Sequence, residues 1–293
     1  MVIIKLVGGL GNQMFQYAAG KAIALRSGTQ LKMDMSWFKN QSGLITPRTY
    51  SLNFFNVEEK IATKKEVGKL KGGIYGNLFK VFQKIGLLKK GNYFFTEPSF
   101  NFHEEVLRIK SAVYLDGYWQ SEKYLKGIDS DVIRREFTLK DEFDIGDRKI
   151  TKEIKNKNAI SLHIRRGDYV SNAEANKFHG ICSLKYYANA IEYIAKKVND
   201  PVFYIFSDDI KWVKENLKVE HPIIYVSDGI LKDYEELMLM SYCRHNIIAN
   251  SSFSWWGAWL NDNPDKIVIA PKQWFTDDNI NISDLIPEAW VQL

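Results

Sequence analysis

The segment His163–Tyr169 holds the densest group of side chains suited to chemistry in this sequence. Arg165 and Arg166 stand next to each other before Gly167, directly after an apolar run. A guanidinium stays charged at every relevant pH and can bind two phosphate oxygens at once. Adjacent side chains at a strand end point in opposite directions, so the two arginines cannot do the same work. We expect one to bind phosphate and the other to pair with a carboxylate; the alternative is a purely structural clamp of arginine and aspartate.

A second polar group, Asn250, Ser251 and Ser252, precedes a predicted helix that carries three tryptophans at positions 255, 256 and 259. Free backbone N–H groups and the helix dipole make a helix N-terminus suitable for an anion. The alternative is a simple serine cap with aromatic core packing behind it. We expect the tryptophans to be core and the serines to contribute to a site.

Asp208 and Asp209 form a carboxylate pair after another apolar run. Such a pair can hold a divalent metal ion, but an aspartate at this place more often caps the following helix. The histidines show no metal-ligand spacing with the two cysteines, Cys182 and Cys243. We therefore predict no metal site, because the neighbouring arginines already supply positive charge.

Glycines near the start resemble a dinucleotide-binding turn without completing it. The turn Gly8–Asn12 follows an apolar strand, but a dinucleotide fingerprint would need a third glycine where Met14 stands. The glycines still allow close backbone approach to a ligand, and Asn12 offers an amide; the alternative is a tight turn and helix cap. The chain also lacks a P-loop, which disfavours an ordinary NTPase.

Alternating apolar runs and amphipathic stretches position these groups. An opening strand, helix and strand are predicted at Val2–Val7, around Met14–Leu25 and at Leu31–Met35, with a further strand at Ala112–Leu115. Later strands are predicted at Ala159–Ile164, Val202–Phe206, Ile223–Val226, Asn246–Ala249 and Lys266–Ala270. Helices are predicted at Leu184–Val198, Ile210–Leu217, Asp233–Tyr242 and Phe253–Leu260. This alternation predicts an α/β fold with a parallel sheet, and ligands bind outside the carboxyl ends of such strands.

Two domains are expected, at residues 1–150 and 151–293, with the polar stretch Lys140–Asn158 as a linker plus a helix. The 293 residues are 45% hydrophobic and 26% charged, which is ordinary for a folded globular protein. The start lacks the features of a signal peptide, and two cysteines are too few for a disulfide framework. A cytoplasmic protein is therefore expected.

Positive charge is concentrated between Lys60 and Lys90, where nine lysines face one acid, Glu66. The same stretch contains Leu78, Phe79, Val81, Phe82 and Ile85 at helical spacing. Two interpretations remain open: a helix that lies on an anionic membrane surface, or an ordinary solvated helix. The stretch carries no nucleic-acid motif, and we do not expect nucleic acid as a partner.

Five motifs in chain order resemble the bacterial α-1,2-fucosyltransferases of glycosyltransferase family eleven. They are Gly8–Tyr17, Gly117–Ser121, His163–Tyr169, Phe206–Asp209 and Asn250–Gly257. The resemblance implies a GT-B-like fold, in which two Rossmann-like domains face each other across a cleft and the C-terminal one binds the donor. It further implies inverting transfer of L-fucose from GDP-fucose to the 2-hydroxyl of a galactose, without a metal ion or other cofactor.

The resemblance also implies roles for individual residues. Arg165 would bind the departing β-phosphate, His163 would lie near guanine or ribose, and Asn12 would reach in from the opposite domain. Glu236 stands where the family usually has aspartate. We predict catalytic roles for Arg165, Asp168 and Asn12, with Asp168 or Glu174 as a base, or no base at all. The predicted donor-binding residues are Gly9, Gly11, Asn12, His163, Arg165, Asp208, Glu236, Asn250, Ser251, Ser252 and Phe253.

Other functions stay open at this point. One is a related transferase with another linkage or acceptor, and another is a non-catalytic protein that binds nucleotide sugars or glycans. The expected partners are GDP-fucose and a galactose-terminated oligosaccharide. A lipid-linked acceptor would favour peripheral contact with the inner face of the cell membrane.

Overall fold

The computed structural model describes residues 1–41, 47–71, 94–227 and 229–293, without the side chains of residues 168, 171, 174 and 175. The chain forms two units, Met1–Thr138 with Ser283–Leu285 and Leu139–Ile282 with Ile286–Leu293. The boundary therefore lies before residue 150. A helix at Lys149–Lys155, preceded by an ion pair between Arg148 and Glu235, packs within the second unit. The expected linker is thus part of that unit.

The first unit is built on a parallel sheet of four strands in the order β2-β1-β4-β3. Its strands are β1 (Val2–Lys5), β2 (Leu31–Asp34), β3 (Phe94–Thr96) and β4 (Val113–Asp116). The α-helices in the described part of this unit are α1 (Leu10–Arg26), α2 (Lys64–Leu70) and α3 (Ser130–Glu136). The predicted opening strand, helix and strand are confirmed. Leu25, expected on the apolar face of the first helix, is instead 44% exposed.

The second unit is built on a parallel sheet of six strands in the order β10-β9-β8-β5-β6-β7. Its strands are β5 (Asn158–Ile164), β6 (Pro201–Ser207), β7 (Ile223–Tyr225), β8 (His245–Ile247), β9 (Val268–Ala270) and β10 (Val291–Gln292). Its α-helices are α4 (Lys149–Lys155), α5 (Gly167–Ser171), α6 (Ala173–His179), α7 (Leu184–Ala195), α8 (Ile210–Asn216), α9 (Asp233–Tyr242) and α10 (Ser252–Leu260). All five strands predicted for this region are confirmed, and α5, α6 and β10 were not predicted.

Short 3-10 helices occupy several of the connections. They are Ser36–Lys39, Leu52–Phe54, Glu104–Arg108, Glu122–Leu125 and Asp141–Phe143.

Apolar packing fixes the strands of the second sheet. Ile160, Leu162 and Ile164 on β5 are buried in a cluster with Tyr187 and Ile194 on α7. Trp255 and Trp256 on α10 are fully buried, with ring centroids 5.1 Å apart. The prediction that these tryptophans are core is confirmed.

Part of the lysine-rich segment lies in α2, which begins with a capping box between Thr63 and Glu66. The predicted apolar helix face, Leu78–Ile85, lies outside the described residues. Among the residues that the structure describes, no helix combines the length and apolar character needed to cross a bilayer.

Candidate functional site

The order of strands in the second sheet places a crevice beside β5. From β5 the chain continues to β6 and β7 on one side, and it then crosses to β8 and β9 on the other side. Loops that leave neighbouring strands in opposite directions open a crevice at such a switch point, and ligands of open α/β sheets bind there. The loop after β5 contains Arg165, and the loop after β8 contains Asn250. The sheet therefore brings together the two polar groups that the sequence singled out.

Contacts between these two loops show that they lie together. The Tyr169 hydroxyl donates to the Asn250 carbonyl oxygen over 3.3 Å. The ring centroids of His163 and Phe253 are 5.7 Å apart. The guanidinium carbon of Arg165 lies 5.5 Å from the centre of the Tyr169 ring.

The two arginines have different environments, as expected. Arg166 lies 3.6 Å from the centre of the Trp212 ring, and its Nε donates to Asp209 Oδ2 over 3.3 Å. Its side chain is 13% exposed. Arg165 pairs through Nη1 with Asp208 Oδ2 at 2.7 Å and keeps 22% of its side chain exposed. Arg166 is therefore built into the packing, and Arg165 is the more accessible cation.

The carboxylate pair serves the loop and the following helix. Asp209 Oδ1 accepts from the Trp212 backbone N–H at 3.2 Å, so it caps α8. Asp208 Oδ1 accepts from the Arg166 backbone N–H at 2.8 Å, while its other oxygen holds Arg165. The helix-cap interpretation is confirmed for Asp209. No group of three or more His, Cys, Asp or Glu residues in the described ranges is arranged to hold a metal ion.

Gly167 leaves room for the Asp208 carboxylate. A Cβ at this position would lie 2.5 Å from Asp208 Oδ2, the oxygen that pairs with Arg165. We expect Gly167→Ala to displace that carboxylate and to weaken binding of a phosphorylated ligand at least several-fold. The matched control is Gly68→Ala in α2, where a Cβ meets nothing within 4 Å and helix propensity predicts a gain of up to about 1 kcal/mol. Titration calorimetry with GDP measures binding, and unchanged affinity in Gly167→Ala would contradict the expectation.

His163 is a neutral imidazole at this site. Its side chain is buried, and its Nδ1 has no hydrogen-bond partner among the side chains and backbone that the structure describes. The pKa of His163 is lowered to about 3, chiefly by burial; the nearby Asp208 carboxylate opposes this shift, and the positive charge of Arg165 adds to it. A buried ring with an unused nitrogen beside Phe253 is suited to contact an uncharged part of a ligand.

The low pKa of His163 predicts a pH dependence of stability. The unfolded chain binds a proton at this histidine near pH 6.5, whereas the folded chain does so only near pH 3. The free energy of unfolding should therefore fall as the pH drops below 6.5, by at most about 1.4 kcal/mol per pH unit from this residue. Urea unfolding of the natural protein and of His163→Gln between pH 4 and 7 checks this. The variant should lose part of the slope, and an identical slope would refute the assignment.

The N-terminus of α10 lies next to His163 and Tyr169. Ser251 caps this helix by accepting from the Phe253 N–H at 3.3 Å, while Ser252 and Phe253 are partly exposed. Asn250 is buried and its Nδ2 lies within 3.4 Å of three backbone carbonyls, those of His179, Gly180 and Trp274. Its amide therefore fixes the loop, and the first turn of α10 presents Ser252 and Phe253.

Glu236 lies in the first turn of α9 and is partly buried. The adjacent Glu235 is buried and accepts from the Lys232 backbone N–H at 2.7 Å. Glu235 is therefore structural, and the role of Glu236 in donor binding stays a prediction. The side chains of Asp168 and Glu174 lie outside what the structure describes, so both candidate bases also stay predictions.

The glycine turn of the first unit is held by glutamines to which the sequence assigned no role. Gly9 is the N-cap of α1, Gly11 is buried, and Asn12 accepts through Oδ1 from Gln120 Nε2 at 2.9 Å. Gln13 donates to the Gly8 carbonyl over 2.9 Å, and Gln16 accepts from the Val7 N–H at 2.9 Å. Both glutamines are fully buried. Two glutamines on an otherwise apolar helix face were the signal in the sequence that could have indicated this structural role.

A doubly wound parallel sheet defines a Rossmann-like α/β protein, and a cation and a helix N-terminus at its switch point are suited to an anionic ligand. Comparison with known proteins identifies the family of this chain. It belongs to glycosyl transferase family 11, whose sequence profile matches residues 84–293. It is accordingly a glycosyltransferase of a family that includes fucosyltransferases.

Two relatives match over almost the whole chain. The Escherichia coli alpha-1,2-colitosyltransferase is 37% identical over 100% of this chain and 99% of its own length. The Escherichia coli O-antigen biosynthesis glycosyltransferase WbnK is 38% identical over 98% of this chain and 99% of its own length.

A solved structure shares the fold. A mutant of Arabidopsis thaliana FUT1 in complex with GDP superposes with a TM-score of 0.50 at 12% identity, covering 92% of this chain and 70% of that one. The predicted GT-B-type α/β fold class with two Rossmann-like domains is thereby confirmed.

Proposed function

We propose that this protein transfers L-fucose from GDP-fucose to the 2-hydroxyl of a galactose, with inversion at the fucose anomeric carbon and without a metal ion. The observation that carries the proposal is the position of Arg165 at the switch point beside the N-terminus of α10, next to the buried His163. Family membership supports glycosyl transfer, and the relative named for an alpha-1,2 linkage supports the linkage.

The proposed chemistry is a single displacement. The bond between the anomeric carbon and the β-phosphate oxygen breaks while the acceptor hydroxyl attacks from the other face of the ring. Negative charge grows on the leaving diphosphate, so a cation and free N–H groups placed there stabilise the transition state more than the ground state. Arg165 and the first turn of α10 would supply these groups, with Ser252 and Phe253 beside the phosphates.

Arg165 pairs with Asp208, and this pair has a consequence for binding. We propose that the diphosphate takes over the guanidinium, while Asp208 keeps the Arg166 N–H and so holds the loop in place. Asp208 and Asp209 pair with the two arginines, and Asp209 also caps α8. We therefore propose that the fixed positive charge of Arg165, and not a divalent ion, faces the diphosphate. Activity should survive excess EDTA, and its loss with restoration by Mn²⁺ or Mg²⁺ would show a metal requirement.

The base remains a proposal with alternatives. Asp168 or Glu174 would accept the proton of the acceptor hydroxyl, or a strongly dissociative transition state would need little help from a base. The pH–rate profiles of Asp168→Asn and Glu174→Gln separate these alternatives, because only loss of a true base removes the acidic limb.

A second donor has specific support. The relative named alpha-1,2-colitosyltransferase is 37% identical over this whole chain, and colitose is fucose without its 3-hydroxyl. GDP-fucose and GDP-colitose should therefore be tested in parallel against lactose and other galactose-terminated oligosaccharides, with the product linkage read by NMR. An α-1,2-fucosylated product supports the proposal, and turnover of GDP-colitose alone supports the second donor. GDP binding without GDP release in the presence of any acceptor indicates a non-catalytic binder.

The acceptor and location belong to the same proposal. The relative WbnK is named for O-antigen biosynthesis, which favours a lipid-linked oligosaccharide as the acceptor here. A cytoplasmic protein in peripheral contact with the inner face of the membrane would meet such an acceptor.

A further inference from the structure

A turn after β4 presents an aromatic surface at the carboxyl edge of the first sheet. Tyr118 is 40% exposed, although it is a large aromatic residue. The Phe100 ring stacks beside it with centroids 6.1 Å apart and planes inclined by 19°. Together Tyr118 and Phe100 form what we call the aromatic platform.

Backbone strain keeps the turn in this conformation. Trp119, the next residue, has φ +58° and is fully buried. A left-handed backbone at a residue other than glycine costs on the order of 1–3 kcal/mol, and such strain persists only where the surroundings enforce it. Its position points to a functional turn.

Glu97, which directly follows β3, holds the backbone of this turn in place. Its carboxylate accepts from the backbone N–H groups of Tyr118 at 2.6 Å and Trp119 at 3.0 Å. A Cβ at Gly117 would lie 2.4 Å from the Cβ of Glu97, so only glycine allows the turn to approach this closely. Glu97 is therefore a positioning residue that fixes where the Tyr118 ring stands.

Tyr118 combines an exposed aromatic ring with a nearby carboxylate, a combination that suits a sugar ring. One face of a galactose ring is a patch of C–H groups that stacks well on an aromatic ring, while its hydroxyls need hydrogen-bond acceptors. The Glu97 carboxylate accepts from the Tyr118 backbone N–H at 2.6 Å, and Asp116, two residues before Tyr118, pairs with Lys5 at 3.0 Å, so both carboxylates belong to the surroundings of this turn. Burial and these two carboxylates raise the pKa of Tyr118. A flat ring beside carboxylate oxygens matches a pyranose better than it matches a hydrocarbon chain.

We propose that the aromatic platform binds the galactose ring of the acceptor by stacking on Tyr118. This inference rests on the proposed function, because it takes a galactoside as the acceptor. It adds a residue, Tyr118, that determines acceptor affinity, and a second, Glu97, that positions it.

The test measures acceptor binding without turnover. Saturation-transfer NMR titrations of lactose and N-acetyllactosamine, with GDP present, compare the full-length protein with Tyr118→Ala and Tyr118→Phe. We expect at least a tenfold loss of affinity in the alanine variant and near-complete recovery in the phenylalanine variant. The matched control is Phe94→Ala: Phe94 is also 40% exposed and stacks on Tyr114 at 5.5 Å, but it lies at the opposite end of β3.

Two outcomes overturn the proposal: neither galactoside binds the natural protein, or Tyr118→Ala binds as tightly as Phe94→Ala does. GDP titrations and thermal melts of each variant show that the fold is retained. Failure of the proposed function gives a different result. If the protein binds lactose through Tyr118 but turns over no GDP-fucose, the aromatic platform is supported and the proposed reaction is refuted.

Discussion

Replacing Arg165 with alanine is expected to lower kcat about 10²- to 10³-fold, the loss typical of removing one preorganised donor from developing negative charge. Arg165 lies at the switch point of the second sheet, held by Asp208 at 2.7 Å and still partly exposed. In the proposed mechanism the charge on the leaving diphosphate grows during the reaction, so the loss should fall on kcat more than on the KM for the donor. Steady-state kinetics with GDP-fucose and a galactoside measure both.

The chain offers a matched control in the neighbouring arginine. Arg166 stacks on Trp212 and pairs with Asp209, so Arg166→Ala should lower the melting temperature with a smaller effect on kcat. Arg165→Lys keeps the positive charge but loses the bidentate hydrogen bonding of a guanidinium, so its kcat should lie between those of Arg165→Ala and the natural protein. Full activity of Arg165→Ala, or a larger kcat loss in Arg166→Ala, would remove the basis of the proposed mechanism.

Replacing Asn250 with alanine is expected to lower the free energy of unfolding by about 2–4 kcal/mol, because buried carbonyls would lose their donor. The Asn250 amide lies within 3.4 Å of the His179, Gly180 and Trp274 carbonyls, and its Oδ1 accepts from Cys182 Sγ at 3.4 Å. These contacts tie the loop after β8 to α6 and to the chain after β9. Urea unfolding measures the change.

Asn263→Ala is the control for this prediction. The Asn263 amide also donates to a backbone carbonyl, that of Arg244 at 3.0 Å, but the bond is exposed, so water can replace it. We expect its effect to stay within about 1 kcal/mol. If the two variants lose equal stability, burial of Asn250 does not have the importance assigned to it.

The type and order of the elements could be predicted from the sequence because they depend on local patterns. Apolar runs such as Ala159–Ile164 and Val202–Phe206 are long enough to indicate buried parallel strands, and the stretches between them have helical spacing. The positions of Arg165, Asp208 and Asn250 at strand ends follow from the same runs. These residues could therefore be named as site candidates before any contact was known.

Partners of the site residues could not be predicted in the same way. Asp208 pairs with Arg165 and Asp209 with Arg166 across more than forty residues of chain. Asn250 was expected to bind the donor, yet its amide is occupied by backbone carbonyls from segments distant in sequence. Local patterns contain no information on which distant segments approach each other.

The sequence by itself determined the parallel α/β architecture, the family, and the strand ends at which polar side chains gather. Only the tertiary structure decided which arginine is packed and which is accessible. It likewise decided that the switch point lies between β5 and β8, and not between β5 and β6. It also decided that residues 139–150 belong to the second unit and that Glu97 holds the Gly117–Trp119 turn. The physical reason is that periodicity and capping act within a few residues, whereas strand order, ion pairing and burial depend on contacts made only when the whole chain folds.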